Sequence, residues 1–131
     1  MSVKEITRQK VFWQILVMIS CSMSFPNFIK PALKNYGSTK FNDDQFLTQI
    51  GMFAFSISAL GKFFWGILYD KFGFIKCYSV MLIMEIFACF TMDIGSSSKV
   101  GFCIWIVFIF SAEGAHFTLF PNLASEIYGP R

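Results

Sequence analysis

The sequence predicts an all-α membrane protein with four transmembrane helices, and three observations carry that prediction. Of the 131 residues, 55% are hydrophobic and only 15% charged, which is too apolar for an ordinary soluble domain. Eighteen phenylalanines are more than a core of this size can bury, whereas lipid accepts them. The charged residues also gather in short segments between four long apolar runs.

The first span covers residues 11–29, uncharged between Lys10 and Lys30, or roughly 28 Å of helix. Lys4, Arg8 and Lys10 ahead of it, with Ser20-Cys21-Ser22 inside it, imitate a secretory signal and its cleavage site. The run continues to Ile29 and three more follow, so a retained helix is the better reading. Pro26 near its far end predicts a kink, which membrane helices tolerate. Residues 30–44, with Pro31 and Gly37, read as an exposed loop with at most a short turn of helix.

Asn42-Asp43-Asp44 predicts an N-cap, because carboxylates favour the free amides of a first turn. The second span covers residues 45–69, interrupted only by Lys62. The third covers residues 77–92 with Glu85 near its middle, and residues 93–99, rich in Ser and Gly, form a turn. The fourth covers residues 101–120 with Glu113 and His116, and Pro121 marks a kink or an end. With no internal repeat and no low-complexity tract, the chain reads as a single membrane unit.

Four crossings bring both termini to one side. That side carries Lys4, Arg8, Lys10, Lys71, Lys76 and Arg131, against Lys30, Lys34, Lys40 and Lys99 opposite. The bias places the termini on the cytoplasmic side. The basic residues form no single stripe, so nucleic-acid binding is not expected. Cysteines at 21, 77, 89 and 103 lack metal-ligand spacing, and no metal or other cofactor is expected. No hydrolase, P-loop or metalloprotease motif occurs, so the chain does not read as an enzyme.

Lys62 is the sharpest functional candidate. A cation within a span costs about 2.5–3.5 kcal/mol on insertion scales and usually faces a bundle interior or a water path. It lies two turns before Asp70, about 12 Å by helical rise; snorkelling to the headgroups is the competing reading. Ala54, Ser58 and Lys62 recur every four residues, a small and polar face that suits a solute path or close packing. Glu113 and His116, three apart, share a helix face and suggest proton coupling, or a simple mutual hydrogen bond. Glu85 reads as a packing hydrogen bond or a neutral carboxyl.

The segment Gly66-Ile67-Leu68-Tyr69-Asp70-Lys71-Phe72-Gly73-Phe74-Ile75-Lys76 is a tight charged turn between antiparallel apolar helices. Its Gly66, Asp70, Lys71, Gly73 and Lys76 resemble the cytoplasmic signature loop of the major facilitator superfamily of transporters, although Phe74 and Ile75 stand where a basic residue is usual. The stretch from Glu113 to Arg131, with Phe120-Pro121 and Glu126-Ile127-Tyr128-Gly129, resembles the tenth helix of the oxalate/formate antiporter-like and monocarboxylate-transporter-like branches. The opening from Lys4 to Trp13 is similar to the lead into the seventh helix.

The resemblance implies helices seven to ten of twelve, with placement in the N-terminal half as the alternative, since the signature recurs between helices two and three. It implies a partial bundle that moves a small organic anion, a monocarboxylate or dicarboxylate, by alternating access. Lys62, four before Gly66, would stand where a basic residue contributes to carboxylate binding, with Lys replacing the usual Arg. Asp70 and Lys71 would tie the helix end to a neighbour. The expected partners are the anion, the lipid bilayer, and the remaining transporter helices or other membrane subunits. The chain then reads as a fragment or split half of a transporter. A non-transporting accessory subunit of a larger complex, and an unrelated four-helix membrane protein, are the alternatives.

Overall fold

The computed structural model describes residues 3–129, and among them it contains helices and no strands. The helices are α1 (Val3–Thr7), α2 (Lys10–Lys40), α3 (Asp44–Phe72), α4 (Phe74–Gly95) and α5 (Lys99–Tyr128). All but the short α1 are long and apolar enough to cross a membrane. Large apolar side chains on their outer faces remain exposed, among them Phe63, Ile75 and Phe90. Such exposure is costly in water and neutral in lipid, which fits a multi-pass integral membrane protein.

Each helix extends past its expected span, and α2 does so most. Residues 30–40 continue the helix instead of forming a loop. Pro26 and Pro31 both lie inside it. Its buried residues Ser22, Pro26, Ile29, Leu33 and Gly37 keep helical spacing straight through both prolines, so packing along one stripe outweighs the two lost hydrogen bonds. Pro121 likewise lies within α5 rather than ending it. The short α1 is held by Trp13, whose Nε1 donates to the Thr7 carbonyl at 3.0 Å.

The expected N-cap is present. Asp43 accepts from the Phe46 amide at 3.0 Å and starts α3. Ser98 caps α5 in the same way, accepting from Gly101 N–H. Ion pairs join the helices near their ends on this side of the bundle: Lys99 to Asp43 at 2.6 Å, Lys34 to Asp44 at 2.9 Å and Lys40 to Asp93 at 3.6 Å. The Tyr36 hydroxyl donates to Asp93 at 3.0 Å and meets the Ser96 hydroxyl at 2.8 Å.

At the other end one residue, Gly73, turns α3 into α4. Its φ of +76° and ψ of 172° fall in a region only glycine adopts without strain. The expected tight turn between antiparallel helices is therefore present.

The centre of the bundle is α5. Over half of its apolar window is buried (56%), against 17% for α2, 28% for α3 and 22% for α4. Its most extensive interface is with α3, and α4 is next. Lipid supplies no hydrophobic drive between helices, so close packing and interhelical hydrogen bonds must hold them. Gly114 lets α5 touch α3 backbone to backbone: a Cβ there would lie 2.7 Å from the Ser58 carbonyl oxygen. Trp65 Nε1 donates across the seam to the Ser111 carbonyl at 2.9 Å, and Thr118 Oγ1 to the Lys62 carbonyl at 3.0 Å. Trp105 Nε1 ties α5 to α4 through the Ala88 carbonyl at 3.1 Å.

Gly73→Ala is expected to destabilise the fold by about 1–3 kcal/mol through backbone strain; denaturant unfolding in mixed micelles measures it. The Asp43 carboxyl is held below its ordinary value of 3.8, first by the Lys99 hydrogen bond and then by the Phe46 amide. A lowered folded value stabilises above the ordinary value and ceases to do so as the pH falls through the lowered one. Thermal unfolding of Asp43→Asn is therefore expected to show a deficit against the parent near neutral pH that closes in strong acid.

Candidate functional site

Seen down the axis of α5, the ionisable side chains sort by which neighbour they meet. The α3 seam fixes the rotation of α5 through Ser111, Gly114 and Thr118. Glu113 then points to α2, where it forms an ion pair with Lys30. Phe117, one turn later on the same side, is half-exposed at 48%. The Lys62 ammonium from α3 lies 4.8 Å from its ring centroid and the Lys30 ammonium 5.8 Å. Two cations thus share a single aromatic ring, and one of them is paired with a carboxylate.

These residues lie far from either helix end. Lys30 is ten residues before the end of α2, and Lys62 ten before the end of α3, roughly 15 Å of rise in each case. Glu113 is close to the middle of α5 and almost fully buried. Lys30 is therefore an interior residue and not a member of the loop where the sequence reading put it. Its helical signal was the stripe of Ile29, Leu33 and Gly37 running past it.

His116 turns to the opposite side from the α3 seam and meets α4. Its Nε2 stands 3.5 Å from Glu85 Oε1, too far for a strong hydrogen bond. Its ring stacks on Phe120 at 6.2 Å. The expected Glu113–His116 pairing is thus replaced by two separate pairs, Glu113 with Lys30 and His116 with Glu85. At three residues apart the two point about 60° from each other around the helix, and α2 and α4 divide that angle.

Ser58 is buried on the α3–α5 seam beside Ala54, Gly61 and Trp65. Lys62 sits at its flank, exposed. Two steps of four residues rotate a helix face by about 80°, so Ala54, Ser58 and Lys62 are not one stripe. The structure brings Lys62 to Phe117 but not to the Ser58 hydroxyl's side.

In the signature loop, Gly66 packs near Thr118, where a Cβ would come within 3.6 Å of Cγ2. Asp70 and Lys71 are exposed. The Lys71 ammonium lies 5.4 Å from the Phe72 ring centroid. Asp70 forms no salt bridge among the described residues, so the expected tie to a neighbouring helix is not made there. The contact closest to it in kind is Tyr69 donating to Glu126 at 2.7 Å. Lys76 lines a cavity of about 320 Å³ with Trp65, Leu68 and Cys77. The described residues hold no cluster of metal-binding side chains. Among the terminal charges, Arg131 and the side chain of Lys4 lie outside the described part of the chain.

No protein-family model, curated protein or solved structure matches this chain.

Removing Lys30 would strand the buried Glu113 carboxylate. Lys30→Met is expected to cost about 3 kcal/mol, the low end of the range for breaking a buried pair because Lys30 is partly exposed. The double variant Lys30→Met/Glu113→Gln should lose less than the sum of the two single variants. A double-mutant cycle on unfolding free energies checks this, and strictly additive losses would contradict it.

Proposed function

We propose that this chain supplies part of the anion site of a secondary transporter that moves a small organic anion of the monocarboxylate or dicarboxylate class by alternating access. The superfamily resemblance of the Gly66–Lys76 loop is the starting point. The observation that carries the reading is Lys62: a cation well inside an apolar helix whose described neighbour is an aromatic ring and not a carboxylate. The insertion cost of about 2.5–3.5 kcal/mol exceeds the roughly 0.5–2 kcal/mol that a cation–π contact returns. A bound anion would make up the difference.

Lys30 adds a second cation on the same ring, already balanced by Glu113. The group of three therefore carries one uncompensated positive charge. Phe117 supplies an apolar wall against which the hydrocarbon part of a small acid can rest. Solute sites of this kind lie near the midplane between repeated bundles, so the reading includes further helices packed on the open side of Lys62 and Phe117.

The termini and the Asp70-Lys71 turn are assigned to the cytoplasmic side. With Lys30 interior, the opposite loops keep Lys34, Lys40 and Lys99, against six basic residues on the terminal side, which widens the bias the positive-inside rule reads. A non-transporting accessory subunit is the second reading, favoured by the internal pairing of Lys30 with Glu113.

Lys62→Ala is expected to lower anion uptake in proteoliposomes roughly 10- to 100-fold, the loss of one charge-assisted hydrogen bond of about 1.5–3 kcal/mol. Lys62→Arg should keep most of it, since the charge remains. Unchanged uptake in Lys62→Ala would remove the anion-site reading and leave the accessory one.

A further inference from the structure

The anion reading uses Lys62, Lys30, Glu113 and Phe117, and leaves Glu85 and His116 without a role. Both are buried, at 7% and 1% exposure. Glu85 Oε1 and both ring nitrogens of His116 lack a hydrogen-bond partner among the described residues. A buried carboxyl oxygen and an imidazole nitrogen 3.5 Å apart, neither with a hydrogen-bond partner, are rare in a folded interior and call for an explanation.

The surroundings are unusual on the α2 side as well. Pro26 has no N–H, so the Ser22 carbonyl four residues earlier loses its ordinary helical donor. That carbonyl lies near the His116 imidazole, as do the backbone carbonyls of Glu113 and Ala112 in the preceding turn of α5. A groove of about 340 Å³ between α2 and α4, lined by Cys21, Ser22, Tyr78, Glu85 and Cys89, reaches Glu85, the α4 member of the pair. The imidazole thus has a carboxyl before it on α4, a freed carbonyl on α2 and an opening between them.

We propose that Glu85 and His116 form a proton-binding site inside the bundle, distinct from the Lys62 site and reached through the α2–α4 groove. In apolar surroundings a lone charge is expensive, and a carboxyl and an imidazole sharing one proton form a net-neutral unit. Uptake of a further proton from water makes an N–H or O–H bond and leaves the unit at +1; release returns the proton to water. The titratable groups along that groove are Tyr78 and Cys89 on α4 and Cys21 on α2, and on α5 Glu113 lies one turn from His116, balanced by Lys30. The local charge is therefore set by the pair itself and by whatever happens at Lys30 and Glu113. The site stands on this geometry alone, so it survives or fails separately from the anion reading.

His116 is the only histidine, which makes the test clean. The protein, labelled with ¹⁵N-histidine and placed in lipid nanodiscs, is titrated between about pH 4 and pH 9, where carboxyl and imidazole groups exchange protons. The ring nitrogen shifts respond both to protonation of the imidazole and to protonation of a carboxyl bonded to it. The expected result is a pH-dependent shift whose midpoint moves by about one unit or more in Glu85→Gln, the effect of removing a charge at close range. Glu85→Asp keeps the charge and guards against a folding defect; its midpoint should move less. Ring shifts that stay flat across the range in the parent protein, or a midpoint that Glu85→Gln leaves in place, would overturn the proposal and make the pair a packing contact.

Discussion

The rotation of α5 about its own axis decides where every ionisable group in this bundle points, and one contact sets it. Gly114 meets the α3 backbone at Ser58 and Lys62 so closely that a single added carbon would overlap a carbonyl oxygen. Trp65 and Thr118 close the same seam with hydrogen bonds from side chain to carbonyl. In lipid such contacts replace the hydrophobic drive that packs a soluble core. With α5 fixed against α3, Glu113 faces α2 and His116 faces α4. Phe117 comes to rest under Lys62.

The distribution of charge follows a consistent rule. At the end joining α2 to α3 and α4 to α5, lysines near the helix ends meet aspartates in solvent, where each pair is worth little. Inside, the accounting is stricter, because a buried charge without a partner is costly. Glu113 has Lys30, and Glu85 stands 3.5 Å from His116 with no hydrogen bond between them. Lys62, exposed on the flank of α3, has an aromatic ring only. This imbalance is what supports the carrier reading over a purely structural one, and it sets a cationic group around Phe117 apart from a protonatable pair toward α4.

Much of the architecture was legible in the sequence because it depends on single-helix properties. Apolar runs between charged segments gave four helices, Asp43 gave a cap, and Gly73 gave a turn that no other residue makes without strain. The extension of α2 was not legible, since Pro31 and Gly37 are ordinary loop signals. They are tolerated here because Gly37 sits against Leu47 and Phe102, a contact that exists only once three helices are assembled. The pairing of charges was hidden for the same reason. A helical wheel puts Glu113 and His116 on neighbouring positions, but it does not reveal that two different helices pack between them. The Ala54, Ser58 and Lys62 face was overread, because fourfold spacing drifts around the helix and carries Lys62 off the seam.

The central claim is that the face bearing Lys62 and Phe117 meets water, while the outer faces of α3 and α4 meet lipid. Cysteine accessibility tests it most directly. In a background lacking the four native cysteines, Phe117→Cys and Phe90→Cys are each treated in membranes with a charged, water-soluble thiol reagent. The account predicts modification at position 117 and none at position 90. Labelling at 90 with none at 117 would contradict it.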